Sequence, residues 1–104
     1  MENIGIGTEL KLNINIQPIN GFTMDDYDFV VDVYCKPKNT VTVTKAECIR
    51  VDKDNYIVCF DSEMLGQGDI KCKVTAYIPD RDFSDGLRTE VAFLETGITI
   101  IKSI

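Results

Sequence analysis

The chain has 104 residues, 44% of them hydrophobic, and its 17 acidic and 11 basic side chains give a net charge of −6. This length and composition favour one folded domain over 1–104 and exclude a disordered chain. Because an acidic surface repels phosphate backbones, we expect no nucleic-acid partner. No apolar run approaches the roughly 20 residues that span a bilayer, and the N-terminus lacks a signal-peptide pattern. We therefore expect no membrane partner and synthesis in a reducing cytoplasm.

The chain contains no histidine and four cysteines. Without histidine, Ser-His-Asp and Cys-His catalysis are excluded, and the most common transition-metal ligand is missing. The residue types therefore predict a protein that is not an enzyme and has no cofactor. No CxxC pair is present, so the cysteines are expected to be buried free thiols, with disulfides and metal ligation as the alternatives. The cysteines are Cys35, Cys48, Cys59 and Cys72.

The first two thirds of the chain read as short strands joined by polar turns. Residues 1–8 contain two glycines and predict a flexible N-terminal arm. Alternating apolar and polar residues then predict strands over 10–17, 28–35, 41–45, 49–51 and 56–60. The stretch 22–27 predicts either one helical turn or a plain loop, and a break is expected near Ala46 and Glu47. A capped helical turn is predicted over 61–66, with Met64 and Leu65 covering one end of the core.

The last third contains the most regular pattern in the sequence. Apolar residues occupy every second position from Ile70 to Ile78, and Pro79 ends this strand. After the polar stretch PDRDFSDG, a second strand over 87–93 completes a hairpin. A turn at 95–97 is expected to precede the last strand, over 98–101. About seven short strands with regular turns predict an all-β fold, an antiparallel β-sandwich, with a small barrel as the alternative.

The hairpin loop is a candidate calcium site. Asp80, Asp82 and Asp85 lie close together beside Gly86, and calcium prefers several oxygen ligands. The loop lacks the D-x-D-x-D-G spacing and the downstream glutamate of the EF-hand, and Arg81 can neutralise the acids. The sequence therefore favours the alternative, in which these aspartates accept turn hydrogen bonds.

A second acidic cluster surrounds Tyr27 and comprises Asp25, Asp26 and Asp28. Paired carboxylates can act as general acid and base in glycoside hydrolysis. That chemistry also needs a cleft, and the chain has no tryptophan to line one. The interpretation favoured here is that Tyr27 packs and anchors the loop.

The C-terminal strand is the candidate partner-binding element. Its isoleucines point to both faces, so one face can join the core while the other needs a cover. A strand near a chain end often lies at a sheet edge, where a partner strand can add. A neighbouring loop of the same chain is the alternative cover. The predicted partner-binding residues are Ile98, Ile100, Ile101 and Ile104.

Four segments carry a family resemblance: MDDYDF at 24–29, VDKDNYIV at 51–58, KVTAYIPDRDFSDGLRTEV at 73–91 and TGITI at 96–100. With them, the chain resembles small Ig-like proteins encoded by phages and prophages of Bacteroidales, including the crAss-like phages, over about 10–100. The matching motifs are turns and strand edges, and no functional residue is carried over from them.

The resemblance implies an Ig-like β-sandwich that serves as a virion structural protein. The expected role is a capsid auxiliary or decoration protein on the capsid surface, bound to the major capsid protein within a large assembly. A head-fibre, baseplate or tail-adaptor module is an alternative. A carbohydrate-binding adhesion domain is another, and its aromatic platform would have to come from Tyr34, Tyr77 and Phe83.

Overall fold

The structure is a computed structural model that describes residues 2–16, 22–36 and 39–101. No helix in these ranges is long and apolar enough to cross a bilayer. Two single turns of 3₁₀ helix occur, at Lys45–Glu47 and Ser62–Met64. The strands are β1 (Glu2–Gly5), β2 (Glu9–Ile14), β3 (Asp28–Tyr34), β4 (Val41–Thr44), β5 (Ile49–Asp52), β6 (Asn55–Asp61), β7 (Gly68–Pro79) and β8 (Leu87–Ile101).

The strands form two sheets that pack face to face. The larger sheet has the order β1-β8-β7-β3-β4, and the smaller has the order β2-β6-β5. All neighbouring strands are antiparallel except β1 and β8, which are parallel. The predicted all-β sandwich is therefore confirmed, and the barrel alternative is wrong. The Ig-like assignment stays a prediction.

The core lies between the sheets and follows from the period-two pattern of the sequence. On β7 every second side chain, from Ile70 to Ile78, is buried, and Phe29, Val31 and Val33 of β3 continue the same face. Polar neighbours such as Lys71 and Asp32 point to the other face of the sheet. The smaller sheet contributes Ile14, Tyr56, Val58 and Phe60.

The predicted N-terminal arm is wrong, because Glu2–Gly5 form β1. This strand pairs in parallel with the end of β8, with Glu2 opposite Ile98 and Gly5 opposite Ile101. The backbone N–H of Ile6 then donates to the carbonyl of Ile101 at 3.0 Å. Four residues that end in a glycine give too short a pattern to predict a strand, and this segment becomes one because it pairs with the edge of β8.

The predicted turn at 95–97 is also wrong, because β8 runs without interruption from Leu87 to Ile101. Between the pairs Lys71–Glu95 and Asp69–Thr99, β8 advances four residues while β7 advances two. Gly97 has φ +75°, which glycine adopts without steric cost. The glycine therefore accommodates a bulge within the strand, and the chain does not reverse there.

The two short segments with helical signals differ in outcome. At 22–27 the chain forms a plain turn, in which the N–H and hydroxyl of Thr23 both donate to the carboxylate of Asp26. At Ser62–Met64 the predicted helical turn is confirmed, and the Asp61 carboxylate accepts from the N–H of Glu63 at 2.9 Å. Leu65 is buried as expected, whereas Met64 is exposed.

Candidate interaction surface

Part of β8 lies at a margin of the larger sheet. β8 pairs with β7 along most of its length, apart from the bulge around Gly97, but β1 covers only 98–101. Among the residues that the structure describes, no strand pairs with the outer margin of 87–97. We call this margin the β8 edge. An uncovered edge of this length is a template for another strand.

The backbone groups that face the β8 edge can be assigned from the hairpin. The N–H of Asp80 donates to the carbonyl of Gly86 at 2.9 Å, so this pair is hydrogen-bonded across the hairpin. Antiparallel pairs alternate between hydrogen-bonded and non-hydrogen-bonded, which places Pro79 and Leu87 in a non-hydrogen-bonded pair. Proline has no N–H, which fits that position. The N–H and C=O groups of Thr89, Val91 and Phe93 therefore point outward.

Apolar side chains follow the same strand on its outer face. Leu87 is 38% exposed, Val91 48% and Phe93 69%. Their neighbours on β7 are Pro79, Thr75 and Lys73, so the patch continues only partly onto the rest of the sheet. Exposed aromatic and aliphatic residues along an open backbone edge indicate a binding surface.

The β8 edge lies beside the free margin of the smaller sheet. β2 is the end strand of that sheet, and a groove of about 360 Å³ separates it from β8. Leu12 and Ile14 line one wall and Leu94 the other, with Cys72 also in the lining. The sandwich is thus open along this side, with apolar walls.

Charged residues mark the hairpin end of the β8 edge. On the core-facing side of β8, Arg88 pairs with the carboxylate of Glu90 and lies 3.3 Å (Nε–Oδ2) from Asp80. The hydrogen bond that Arg88 donates to Glu90 and the field of both carboxylates raise the pKa of Arg88. The guanidinium and both carboxylates keep about a quarter of their side-chain surface in solvent. They are therefore accessible to a strand that adds at this edge.

The predicted partner-binding isoleucines are not brought together on one open edge. Ile100 is in the core and Ile98 packs against it. The backbone margin next to them pairs with β1 of the same chain. Whether a partner or a loop covers the outer face stays a prediction. Ile101 is exposed, and its partner role stays a prediction. Ile104 lies outside the described residues.

The calcium candidates Asp80, Asp82 and Asp85 all take part in turn hydrogen bonds. One oxygen of Asp80 accepts from the N–H of Asp82 at 3.0 Å, and Asp85 accepts from the N–H of Leu87 at 3.0 Å. The other oxygen of Asp80 faces Arg88. In the described part of the chain no three acidic, cysteine or histidine side chains are grouped to hold a metal. The turn hydrogen bonds favoured by the sequence are what the loop contains.

The acidic cluster around Tyr27 takes part in structural contacts. Asp25 accepts three hydrogen bonds from Arg50 and one from the hydroxyl of Tyr56. These bonds hold the pKa of the Asp25 carboxyl well below its usual range. Tyr27 is buried, as predicted, and donates to the carbonyl of Ile16.

The four thiols are free, but they are not all buried. Cys72 is in the core, and burial raises its pKa to about 11. Cys35 and Cys48 are half-buried, with pKa values also raised by burial. Cys59 is exposed, because on β6 it points away from the core while Val58 and Phe60 point into it. The prediction of buried thiols is thus wrong for Cys59.

The three aromatic residues considered for a carbohydrate platform do not adjoin. Tyr34 pairs with Lys71 and Tyr77 with Asp28, so six positions of β3 separate them, about 20 Å at the rise of a strand. Phe83 lies in the hairpin loop, beyond the end of β3.

The β8 edge itself was not predicted from the sequence. Its alternating pattern predicts an ordinary hairpin strand, and the sequence places the open edge at the C-terminal isoleucines instead. The available signal was the exposed-face run of Leu87, Val91 and Phe93, which a strand inside a sheet also shows.

Comparison with protein-family models, with curated proteins and with solved structures returned no match for this chain.

Proposed function

We propose that this chain is a non-enzymatic structural protein of a phage virion, an Ig-like sandwich that binds other structural chains through the β8 edge. The role it fits best is a capsid auxiliary or decoration protein, bound to the major capsid protein on the outside of the shell. The observation that carries the proposal is the long β8 edge with three exposed apolar side chains.

The Ig-like part of the proposal is supported by the division of strands between the sheets. β2, β5 and β6 share one sheet, while β3, β7 and β8 share the other. This corresponds to strands B, D and E facing strands C, F and G of an immunoglobulin sandwich. The extra parallel strand β1 extends the sheet that contains β8.

The charge of the chain supports a position on the outer surface of a capsid. A net charge of −6 on 104 residues opposes contact with packaged DNA and favours solubility of an exposed module. The acidic residues described above are committed to turns and ion pairs, which fits a scaffold better than a catalyst.

Quantitative mass spectrometry of purified particles tests the role. We expect the chain in the particle fraction at a copy number comparable with that of the major shell protein. A much lower copy number would point to a portal or tail position. Absence from purified particles, with the protein recovered from the host lysate, would overturn the proposal.

A further inference from the structure

We propose that the strand that covers the β8 edge is β8 of a second copy of this chain, paired antiparallel about a two-fold axis at Thr89. This inference rests on the proposed function, since it names the partner of the same edge. The occupant is argued from the sequence symmetry and charge complementarity of 87–91.

The segment LRTEV at 87–91 is nearly symmetric about its central residue. An antiparallel two-fold pairing about Thr89 places Leu87 opposite Val91 of the second copy, and Arg88 opposite Glu90 of the second copy. Each contact occurs twice, because the symmetry repeats it. Opposite charges and apolar pairs facing each other across strands are both stabilising.

The backbone fits this register. The outward N–H and C=O groups of the two Thr89 residues face each other, and the N–H of each Val91 meets the C=O of Leu87 in the other copy. Arg88 and Glu90 then occupy the non-hydrogen-bonded positions, where side chains across the strands lie closest. Phe93, the most exposed residue of the edge, lies diagonally across from Leu87 of the second copy, within reach of an aromatic ring.

Neighbouring registers lose the charge match. A two-fold axis at Glu90 places this carboxylate opposite its own copy, which is repulsive. An axis at Ala92 places Glu90 opposite Leu94 and leaves the charge without a partner. The axis at Thr89 is thus the register in which Arg88 and Glu90 each face an opposite charge.

The test uses charge reversal with complementation. Arg88→Glu gives an edge with two acids, and Glu90→Lys gives an edge with two bases. Each variant alone should self-associate about tenfold more weakly than the wild type, since two like-charged contacts replace two attractive ones. An equimolar mixture should restore association as a heterodimer. Sedimentation equilibrium of the full chain up to millimolar concentration, at about 0.15 M salt to screen the net charge, measures this.

Matched controls come from exposed charges outside β8. Lys36 follows the end of β3, and Glu63 lies in the 3₁₀ turn Ser62–Met64. Lys36→Glu and Glu63→Lys change the net charge by the same amounts as the test variants and should leave self-association unchanged. An equal weakening by these controls would mean that net charge alone acts, and would overturn the register.

Arg88→Glu also removes the ion pairs of Arg88 within the chain, which can impair folding. Thr89→Pro is a second variant that tests the dimer without touching those ion pairs. It removes an outward N–H without breaking the ladder with β7, and should abolish the dimer in a folded protein. A wild type that stays monomeric at millimolar concentration, or a mixture that fails to restore association, would overturn the inference. If the wild type is monomeric and is incorporated into particles while Thr89→Pro is not, the β8 edge binds another virion protein. The second copy is then the wrong occupant, and the proposed function stands. If the monomeric wild type and Thr89→Pro are incorporated to the same extent, the proposed use of the β8 edge fails as well.

Discussion

The carboxylate of Asp25 accepts three hydrogen bonds from Arg50, at 2.9 Å (Nε–Oδ1), 3.2 Å (Nε–Oδ2) and 2.8 Å (Nη2–Oδ2). It so joins the loop before β3 to β5 of the other sheet. The hydroxyl of Tyr56 donates to the same carboxylate. Lys45 donates to the carbonyls of Asp25 and Tyr27. One end of the sandwich is therefore closed by a polar clasp between the sheets.

The clasp predicts a pH-dependent part of the free energy of unfolding. The hydrogen bonds from Arg50 and Tyr56 lower the pKa of Asp25 in the folded state. Its stabilisation is therefore complete above the unfolded pKa, near 3.9, and is lost as pH falls below it. Asp25→Asn should destabilise the protein near neutral pH, and the difference from wild type should shrink by pH 3. Urea unfolding at both pH values measures it.

Arg50→Gln is the companion variant, since it removes the group that lowers the pKa most. Its free energy of unfolding should also lie below that of the wild type near neutral pH, and this difference should also shrink at low pH. If the free energies of unfolding of Asp25→Asn and of the wild type differ by the same amount at pH 7 and pH 3, the clasp does not depend on the ionised carboxylate.

Adjacent isoleucines of β8 should respond very differently to truncation. Ile100 is fully buried, so Ile100→Ala should cost about 2–5 kcal/mol of the free energy of unfolding through the cavity it leaves. Ile101 is 47% exposed, and Ile101→Ala should change it by no more than about 0.5 kcal/mol. Denaturant unfolding of both variants separates the two roles. Equal effects would mean that the end of β8 does not pack as described.

The bulge predicts a backbone effect at Gly97. A Cβ added there meets nothing within 4 Å, but φ is +75°, which disfavours alanine by about 1–2 kcal/mol. Gly5→Ala is the matched control, since Gly5 also has open space and does not have a positive φ. Thermal unfolding should show a clearly lower melting temperature for Gly97→Ala and a much smaller change for Gly5→Ala. A neutral Gly97→Ala would mean that the bulge can move.

The sequence predicts local alternation well and the assembly of strands less well. Burial along β7 follows directly from apolar residues at every second position, because side chains on a strand alternate in direction. The parallel pairing of β1 depends on where β8 ends in space, and no local pattern encodes that. Gly97 carries the same signal in a bulge as in a turn, so the length of β8 and its open edge could be read only from the structure.

The hydrogen-bond phase of β8 predicts an alternating pattern of amide exchange. The N–H groups of Arg88, Glu90 and Ala92 face β7, whereas those of Thr89 and Val91 face the open edge. The amides that face β7 should exchange only on global unfolding, so that their free energy of exchange equals the free energy of unfolding. The amides that face the open edge should exchange rapidly in dilute protein. NMR-detected hydrogen exchange at low micromolar concentration measures this residue by residue. Equal protection of both sets would show that the edge is already covered in the isolated chain.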